Sequence, residues 1–161
     1  MDQTESPQDW RTWLEANARR LLLFARDQTR SEADAQDVLQ DALVETWRRV
    51  GGHTPDHALV FATIRRRAID LARRNDRRES REFAAPDWFQ APVGEPAHDD
   101  DLERAVKALP AHLREVVVLK TWSELTFQQI ADTLRIPLNT AASRYRYALD
   151  HLRAALKEVR S

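Results

Sequence analysis

The chain of 161 residues contains no cysteine and only three glycines. The lack of cysteine excludes a disulfide framework and a thiolate zinc site. No apolar run reaches membrane-spanning length, and the first residues are acidic and polar, so we expect neither a secretion signal nor membrane insertion. The default expectation is a protein of the cytoplasm, a reducing compartment that suits a chain without disulfides.

The scarcity of glycine accompanies many alanine, leucine, arginine and glutamate residues, which lose little side-chain freedom in a helix. We therefore predict an all-α fold. Residues 81–101 interrupt the helical pattern with three prolines, a glycine and an acidic run, a composition typical of a flexible linker. The predicted organisation is a helical module over 8–80, an acidic linker over 81–101 and a second helical module over 102–160.

The net charge of −1 conceals four blocks of alternating sign. Residues 1–57, 58–81, 82–103 and 104–161 carry net charges of −4, +5, −7 and +5. Basic faces attract phosphate and acidic faces attract basic protein surfaces, so the pattern favours a protein with more than one partner. The alternative is that each charged run is only a solvated face.

The N-terminal module contains three predicted helices. Apolar residues at helical spacing predict the first helix over 10–29. The second starts at Ser31 or Asp34, either of which can cap it, and two glycines end it after residue 50. The third covers 57–78. A bundle of three helices follows from these spacings.

The third predicted helix carries a dense cationic surface. Its seven arginines lie within fourteen residues, and they are Arg65, Arg66, Arg67, Arg73, Arg74, Arg77 and Arg78. Arginine pairs with phosphate in a bidentate geometry, and Asp70 and Asp76 cannot neutralise seven arginines, so we predict phosphate contact. The alternative is a solubilising helix face balanced by nearby acids.

The C-terminal module contains a predicted helix-turn-helix between Leu125 and Leu156. Thr126 can cap its first helix, Ala131 is small where the two helices must cross, and Pro137 is acceptable in the first turn of the second helix. The side chains expected to fill the wedge between the helices are Ile130, Leu134, Ile136, Leu138, Ala141 and Tyr145.

The outer face of that second helix is polar. Its members are Thr140, Ser143, Arg144 and Tyr147. Donors, acceptors and a cation are what a helix in the major groove presents to bases and phosphates. The alternative is an ordinary helical hairpin with a polar outer face.

These motifs resemble a bacterial RNA polymerase sigma factor of the sigma-70 superfamily, in its compact extracytoplasmic-function group. The stretches 109–119, 129–132 and 139–144 are similar to the group's region four, which binds the minus-thirty-five promoter element. Residues 34–47 look like the region-two helix that binds the polymerase clamp. Phe61 and the segment Arg65-Arg-Arg-Ala-Ile-Asp-Leu-Ala-Arg-Arg74 resemble the part that melts the minus-ten element.

The resemblance implies partners and site residues. The partners are the beta-prime clamp and beta flap of core polymerase, promoter DNA and, as a further option, an anti-sigma factor. The implied core-binding residues are Asp37, Gln40, Asp41 and Trp47. The acidic residues of the second helix would then contact a basic coiled coil of the polymerase. The implied minus-ten residues are Arg65, Arg66, Arg67, Asp70, Arg73 and Arg74. The implied minus-thirty-five residues are Gln128, Thr140, Ser143, Arg144, Arg146 and Tyr147.

Two connecting segments also gain a role from the resemblance. The loop over 51–56 is the implied pocket for a flipped base, and the acidic linker is expected to pass through the RNA exit path.

The sequence departs from the family pattern at four positions. Arg135 stands where a turn glycine is usual, which costs about 1 kcal/mol if the position is left-handed. Asn139 and Ala142 replace a usual glycine and a usual basic residue, so one phosphate contact and some promoter affinity are expected to be missing. Leu59 stands where a tryptophan is frequent.

A sigma factor performs no chemistry itself, so we predict no enzyme activity and no cofactor or metal. His53 and His57 have metal-pair spacing, but they span a proline in a loop and are not expected to bind a metal. Two other functions stay open from the residues. One is a sigma-like interaction protein that binds an anti-sigma factor or core without productive initiation, and the other is a helix-turn-helix repressor that uses only the C-terminal module as a dimer.

Overall fold

The computed structural model describes residues 7–76 and 100–160, with side chains described over 9–76 and 101–158. Every regular element in these ranges is helical, which confirms the all-α prediction. The chain divides into two compact units, Met1–Pro86 and Asp87–Ser161. Most of the predicted linker lies outside the described residues, and its role stays a prediction.

The N-terminal unit is a bundle of three helices, α1 (Pro7–Gln28), α2 (Glu32–Val50) and α3 (His57–Asp76). The start of α2 is decided by its cap. The Ser31 hydroxyl accepts a hydrogen bond from the backbone N–H of Asp34 at 3.1 Å, so Ser31 rather than Asp34 is the N-cap residue. This bond satisfies one of the unpaired donors of the first turn.

The end of α2 follows the glycine signal in the sequence. Gly51 adopts a left-handed conformation with φ of 65°, and its N–H donates to the carbonyl of Trp47. Such a C-cap favours glycine because it has no Cβ to clash. The third helix begins at His57, as predicted, and Arg77 and Arg78 of its predicted end lie outside the described residues.

The core of this unit is built from the apolar stripes of all three helices. Phe24 of α1 and Phe61 of α3 meet edge to face, with 5.5 Å between ring centroids, and both side chains are fully buried. Leu21, Val60 and Ile64 are also inaccessible to solvent. Burying a side chain of this size contributes roughly 1.5–3 kcal/mol, so the pair Phe24 and Phe61 anchors α1 against α3.

The C-terminal unit consists of α4 (Asp100–Lys107), α5 (Ala111–Val117), α6 (Phe127–Leu134) and α7 (Leu138–Arg160). A π-helical turn over Val118–Trp122 continues α5. Pro110 lies between α4 and α5. Helix α4 begins two residues before the predicted module boundary at residue 102, and the π-helical turn was not predicted, because neither has a distinctive spacing of apolar residues.

The helix-turn-helix is formed by α6 and α7. Thr126 and Gln129 make a reciprocal capping box at the start of α6, as the sequence predicted for Thr126. Arg135 ends α6 in a left-handed conformation with φ of 56°. Pro137 lies just before α7 rather than inside its first turn, and its carbonyl accepts from the N–H of Ala141 at 3.1 Å.

The wedge between α6 and α7 is smaller than predicted. Ile130, Leu134 and Ala141 are buried there, and Tyr145 packs edge to face on Phe127 with 5.6 Å between centroids. The prediction was wrong for Leu138, which is 46% exposed because it lies in the first turn of α7. Ile136 is half-buried.

No helix within residues 7–76 and 100–160 has the length and apolar character needed to cross a membrane.

Candidate functional site

The acidic face of α2 lies on the outside of the N-terminal unit. Asp37, Gln40 and Asp41 are all exposed. Val44 lies beside them and is 43% exposed, an unusual position for a large apolar side chain. Sequence reasoning missed Val44, although its spacing of three and four residues from Asp41 and Gln40 places it on the same helix face. The predicted core-binding face therefore has an apolar centre.

A shallow groove runs along this face toward α3. Its volume is about 390 Å³. The residues that line it are Gln40, Asp41, Val44, Glu45, Arg48 and Arg67. Carboxylate, amide, apolar and cationic groups thus meet in one groove, which suits contact with another protein better than enclosure of a small molecule.

Trp47, the fourth predicted core-binding residue, is engaged within the unit. Its ring meets that of Trp10 edge to face, with 5.2 Å between centroids, and it lies directly against Gly52. The side chain is half-buried. The ring already packs on α1 and on the loop after α2. Its contact with a partner stays a prediction.

The arginine-rich helix is partly neutralised from α2. Both Arg66 and Arg67 form ion pairs with Glu45, and the Arg67 contact measures 3.0 Å. The sequence prediction, which sets only Asp70 and Asp76 of α3 against the arginines, is incomplete because the Glu45 carboxylate of α2 also pairs with two of them. Asp76 instead pairs with Arg30 of the segment between α1 and α2 at 3.1 Å.

The remaining predicted minus-ten residues lie toward the end of α3. Asp70, Arg73 and Arg74 are exposed, and Arg65 is half-buried. Arg65, Arg66 and Asp70 lie on the same helix. Asp70 is four residues after Arg66, so these two side chains are neighbours on the helix surface. Arg66 and Arg67 are thus paired to α2, whereas Arg73 and Arg74 are exposed near the C-terminal end of α3.

The loop over 51–56 connects α2 to α3. Gly52 and Pro55 are buried, whereas His53, Thr54 and Asp56 are exposed. The Asp56 carboxylate accepts from the N–H of Ala58 at 3.4 Å, which ties the end of the loop to the first turn of α3. Within residues 7–76 and 100–160, no cluster of histidine, aspartate and glutamate is arranged to hold a metal ion.

The outer face of α7 presents the predicted polar set. Arg146 and Tyr147 are exposed, Tyr147 by 59%, and Ser143 and Arg144 are half-buried. Thr140, also half-buried, completes the spacing of three, four and seven residues that places Ser143, Arg144 and Tyr147 on one side of the helix. Ala141, Ala148 and Leu152 are buried on another side.

Gln128 lies on α6 rather than α7. It is exposed, and its side-chain amide donates to the Asp132 carboxylate at 3.0 Å. The two residues are four apart on the helix, so the bond is a local one along its surface. A contact between Gln128 and DNA would therefore have to compete with Asp132 for the amide.

Lys120 joins the π-helical turn to α6, a function that the sequence did not reveal. Its Nζ donates to the carbonyl of Leu125 at 3.3 Å and lies 4.4 Å from the ring centroid of Phe127. Lysine in an apolar helix pattern gives no signal for such a contact, because the pairing depends on how the chain turns after Trp122.

Both units of the chain match known family models. Residues 13–78 match the family model described as sigma-70 region 2, and residues 99–152 match that of sigma-70, region 4. Among similar proteins, the extracytoplasmic-function RNA polymerase sigma factor RpoE of Cereibacter sphaeroides is 31% identical over 134 residues, covering 75% of this chain and 71% of its own length. The chain belongs to the sigma-70 family.

A second relative supports the same membership. The RNA polymerase sigma-E factor of Streptomyces avermitilis is 30% identical over 142 residues, covering 85% of this chain and 79% of its own. The resemblance to the extracytoplasmic-function group is confirmed. As a sigma factor, the protein directs RNA polymerase to promoters and initiates transcription.

Two solved structures share the fold of this sigma factor. The sigma factor RpoE of Bartonella quintana, solved with the anti-sigma factor NepR, has a TM-score of 0.76 at 21% identity, covering 93% of this chain and 98% of its own. CnrH, solved with the cytosolic domain of CnrY, has a TM-score of 0.66 at 19% identity, covering 96% and 92%. Of the surfaces described above, α2 and α3 lie within the region-2 match, and α6 with most of α7 lies within the region-4 match.

Proposed function

We propose that this sigma factor binds the beta-prime clamp of core polymerase through the exposed face of α2 around Asp37, Gln40, Asp41 and Val44. The observation that carries the proposal is the juxtaposition of that acidic face with the arginines of α3 in one compact unit, linked through Glu45. A basic partner on α2 and promoter DNA on α3 would then be bound side by side. The match of the unit to region 2 supports this assignment.

The C-terminal unit supplies the second contact with the promoter in this proposal. The outer face of α7, from Thr140 to Tyr147, would enter the major groove of the minus-thirty-five element, with Gln128 of α6 at its side. The beta flap would bind the same unit. The exposed donors on α7 and the match to region 4 support these roles.

We further propose that the protein acts in the cytoplasm with polymerase, performs no chemistry and binds an anti-sigma factor. One structural neighbour, RpoE of Bartonella quintana, was solved with the anti-sigma factor NepR, which supports the last point. Strand opening would come from binding energy alone, since flipped bases can be bound without any covalent step.

Run-off transcription with core polymerase over a genomic fragment library tests the proposal. We expect discrete start sites that depend on this protein. If the protein bound core but produced no specific start, it would instead be a sigma-like interaction protein. Tight binding of duplex DNA as a dimer without core would favour a repressor.

A variant that lacks exposed arginines of α3 tests the minus-ten assignment at a promoter found in this way. The double substitution Arg73→Ala with Arg74→Ala should reduce permanganate-detected strand opening by about tenfold, because phosphate contacts dominate the affinity. The matched control, Arg11→Ala with Arg19→Ala, removes two exposed positive charges from α1. Equal opening by the two double variants would contradict the assignment.

A further inference from the structure

The loop over 51–56 is enclosed at both ends by aromatic residues of α1. Trp10 packs edge to face on Trp47, which lies in the last turn of α2 just before the loop, with 5.2 Å between ring centroids. Trp13 lies beside His57, the residue at which the loop ends, with 5.6 Å between ring centroids. The two indoles are also neighbours, 5.8 Å apart. A single helix therefore contacts both boundaries of the loop.

The start of the loop is shaped by Trp47. Its carbonyl accepts from the N–H groups of Gly51 and Gly52 at 3.0 and 3.4 Å. Its ring lies close to Gly52, where an added Cβ would make a tight contact of 3.2 Å with a ring carbon. Gly52 is buried and has φ of 86°, a conformation that other residues rarely adopt. The ring of Trp47, supported by Trp10, thus covers the backbone at the first bend.

The end of the loop is shaped by Asn17, which is only 6% exposed. Its amide donates to the carbonyl of Trp13 at 2.8 Å, and its carbonyl oxygen lies 3.3 Å from Nε2 of His57. With the amide committed to Trp13, the oxygen is the acceptor and His57 the donor. This bond orients the His57 ring at the first residue of α3.

Trp13 combines a buried polar group without a partner among the described residues with a wide packing surface. Its indole N–H is buried and finds no acceptor among the described residues. A buried donor without a partner destabilises a fold, so a phenylalanine would serve a purely structural purpose better. The large ring instead spans the distance between Trp10 and His57.

We infer that Trp10, Trp13 and Asn17 are positioning residues that hold the loop in one conformation for recognition of a promoter base. The inference rests on the role of this loop as the pocket for a flipped base, which the family resemblance implies and which we propose for this chain. His53 and Thr54 are exposed at its tip and supply donors and acceptors. A loop ordered before binding loses less entropy on binding, and donors in fixed places discriminate between bases.

Holoenzyme assembled from the full chain and core polymerase provides the test. A promoter from the run-off experiment is randomised over its minus-ten element, and transcripts from each base at each position are counted. For Trp10→Leu and Trp13→Leu, we expect discrimination between the best and worst base at one position to fall about fivefold. Core affinity should stay unchanged, and Trp10→Phe should restore part of the discrimination.

The matched control is Phe24→Leu. This residue is buried on the same helix but lies about 21 Å further along it from Trp10, so its substitution loosens the core without touching the loop. It should reduce total transcription on heating and leave base discrimination intact. If the tryptophan variants only reproduced this behaviour, their role would be structural and the inference overturned.

Two further variants distinguish a failure of the inference from misfolding and from a failure of the loop's proposed function. Asn17→Ala changes no aromatic packing surface and should still reduce discrimination, which covers the case of a tryptophan variant that does not fold. His53→Ala with Thr54→Ala tests the loop itself. If this variant leaves discrimination unchanged, the loop does not recognise a base and the proposed function of the loop fails. If it alone changes discrimination, only the inference about α1 fails.

Discussion

Glu45 of α2 and Arg67 of α3 form an ion pair at 3.0 Å, and the second oxygen of the same carboxylate binds Arg66. The pair joins the face proposed to bind core polymerase to the face proposed to bind promoter DNA. Phosphate would therefore have to compete with this carboxylate for both arginines.

Glu45→Gln should therefore increase the affinity of the free chain for duplex DNA. Two arginines gain access to phosphate, so the slope of log K against log salt concentration should steepen by about 1 to 2. Fluorescence anisotropy with a labelled duplex at several salt concentrations measures this slope. Glu15→Gln is the control, since it removes the same charge from an exposed position on α1. Equal slopes for both variants would show that only net charge matters.

Arg135→Gly should stabilise the C-terminal unit by about 1 kcal/mol, because the left-handed φ of 56° is strained for a residue with a Cβ. Urea unfolding followed by far-UV circular dichroism measures the change. Arg135→Ala keeps the Cβ while removing the guanidinium, so it should bring no such gain. A gain of similar size for alanine would assign the effect to the side chain and not to the backbone.

Lys120→Met should destabilise the C-terminal unit by about 1–2 kcal/mol. Methionine preserves most of the aliphatic stem but loses the hydrogen bond to Leu125 and the cation–π contact with Phe127. The midpoint of urea unfolding reports the loss. Lys157→Met, at an exposed position of α7, removes the same charge and should change the midpoint little.

Glu32 should contribute to the acid sensitivity of the N-terminal unit. The hydrogen bond from Arg26 lowers the pKa of the Glu32 carboxyl. A carboxyl whose pKa is lower in the folded state stabilises the fold above its unfolded pKa, and this stabilisation disappears as pH falls through the folded-state pKa. Glu32→Gln should thus lower the urea midpoint slightly at neutral pH and not in strong acid. A difference that persisted unchanged into strong acid would contradict this linkage.

The local signals in the sequence were sufficient for much of the fold. The capping hydroxyl of Thr126 and the glycine at residue 51 act within a few residues of themselves, so the sequence located those helix ends and narrowed the cap of α2 to Ser31 or Asp34. The same reasoning grouped Thr140, Ser143, Arg144 and Tyr147 on one side of α7, although only Tyr147 of these four is exposed. It failed for Leu138, because exposure in a first turn depends on how α7 crosses α6 rather than on the residue type.

The candidate site was predictable only in part. The sequence identified the acids of α2 and the arginines of α3, since each set recurs at helical spacing. It did not show that Glu45 pairs with Arg66 and Arg67, nor that Val44 lies exposed among the acids. Both facts depend on the rotation of α2 against α3, which many core contacts determine together.

The helix-turn-helix, the two charged helices and the family were determined by the sequence itself, because caps, turns and periodic faces are properties of neighbouring residues. Only the tertiary structure decided which groups meet across the bundle. Trp13 and His57 are 44 residues apart and Glu45 and Arg66 are 21 apart, yet they are in contact. Such contacts follow from the packing of whole helices, and the spacing of nearby residues does not predict them.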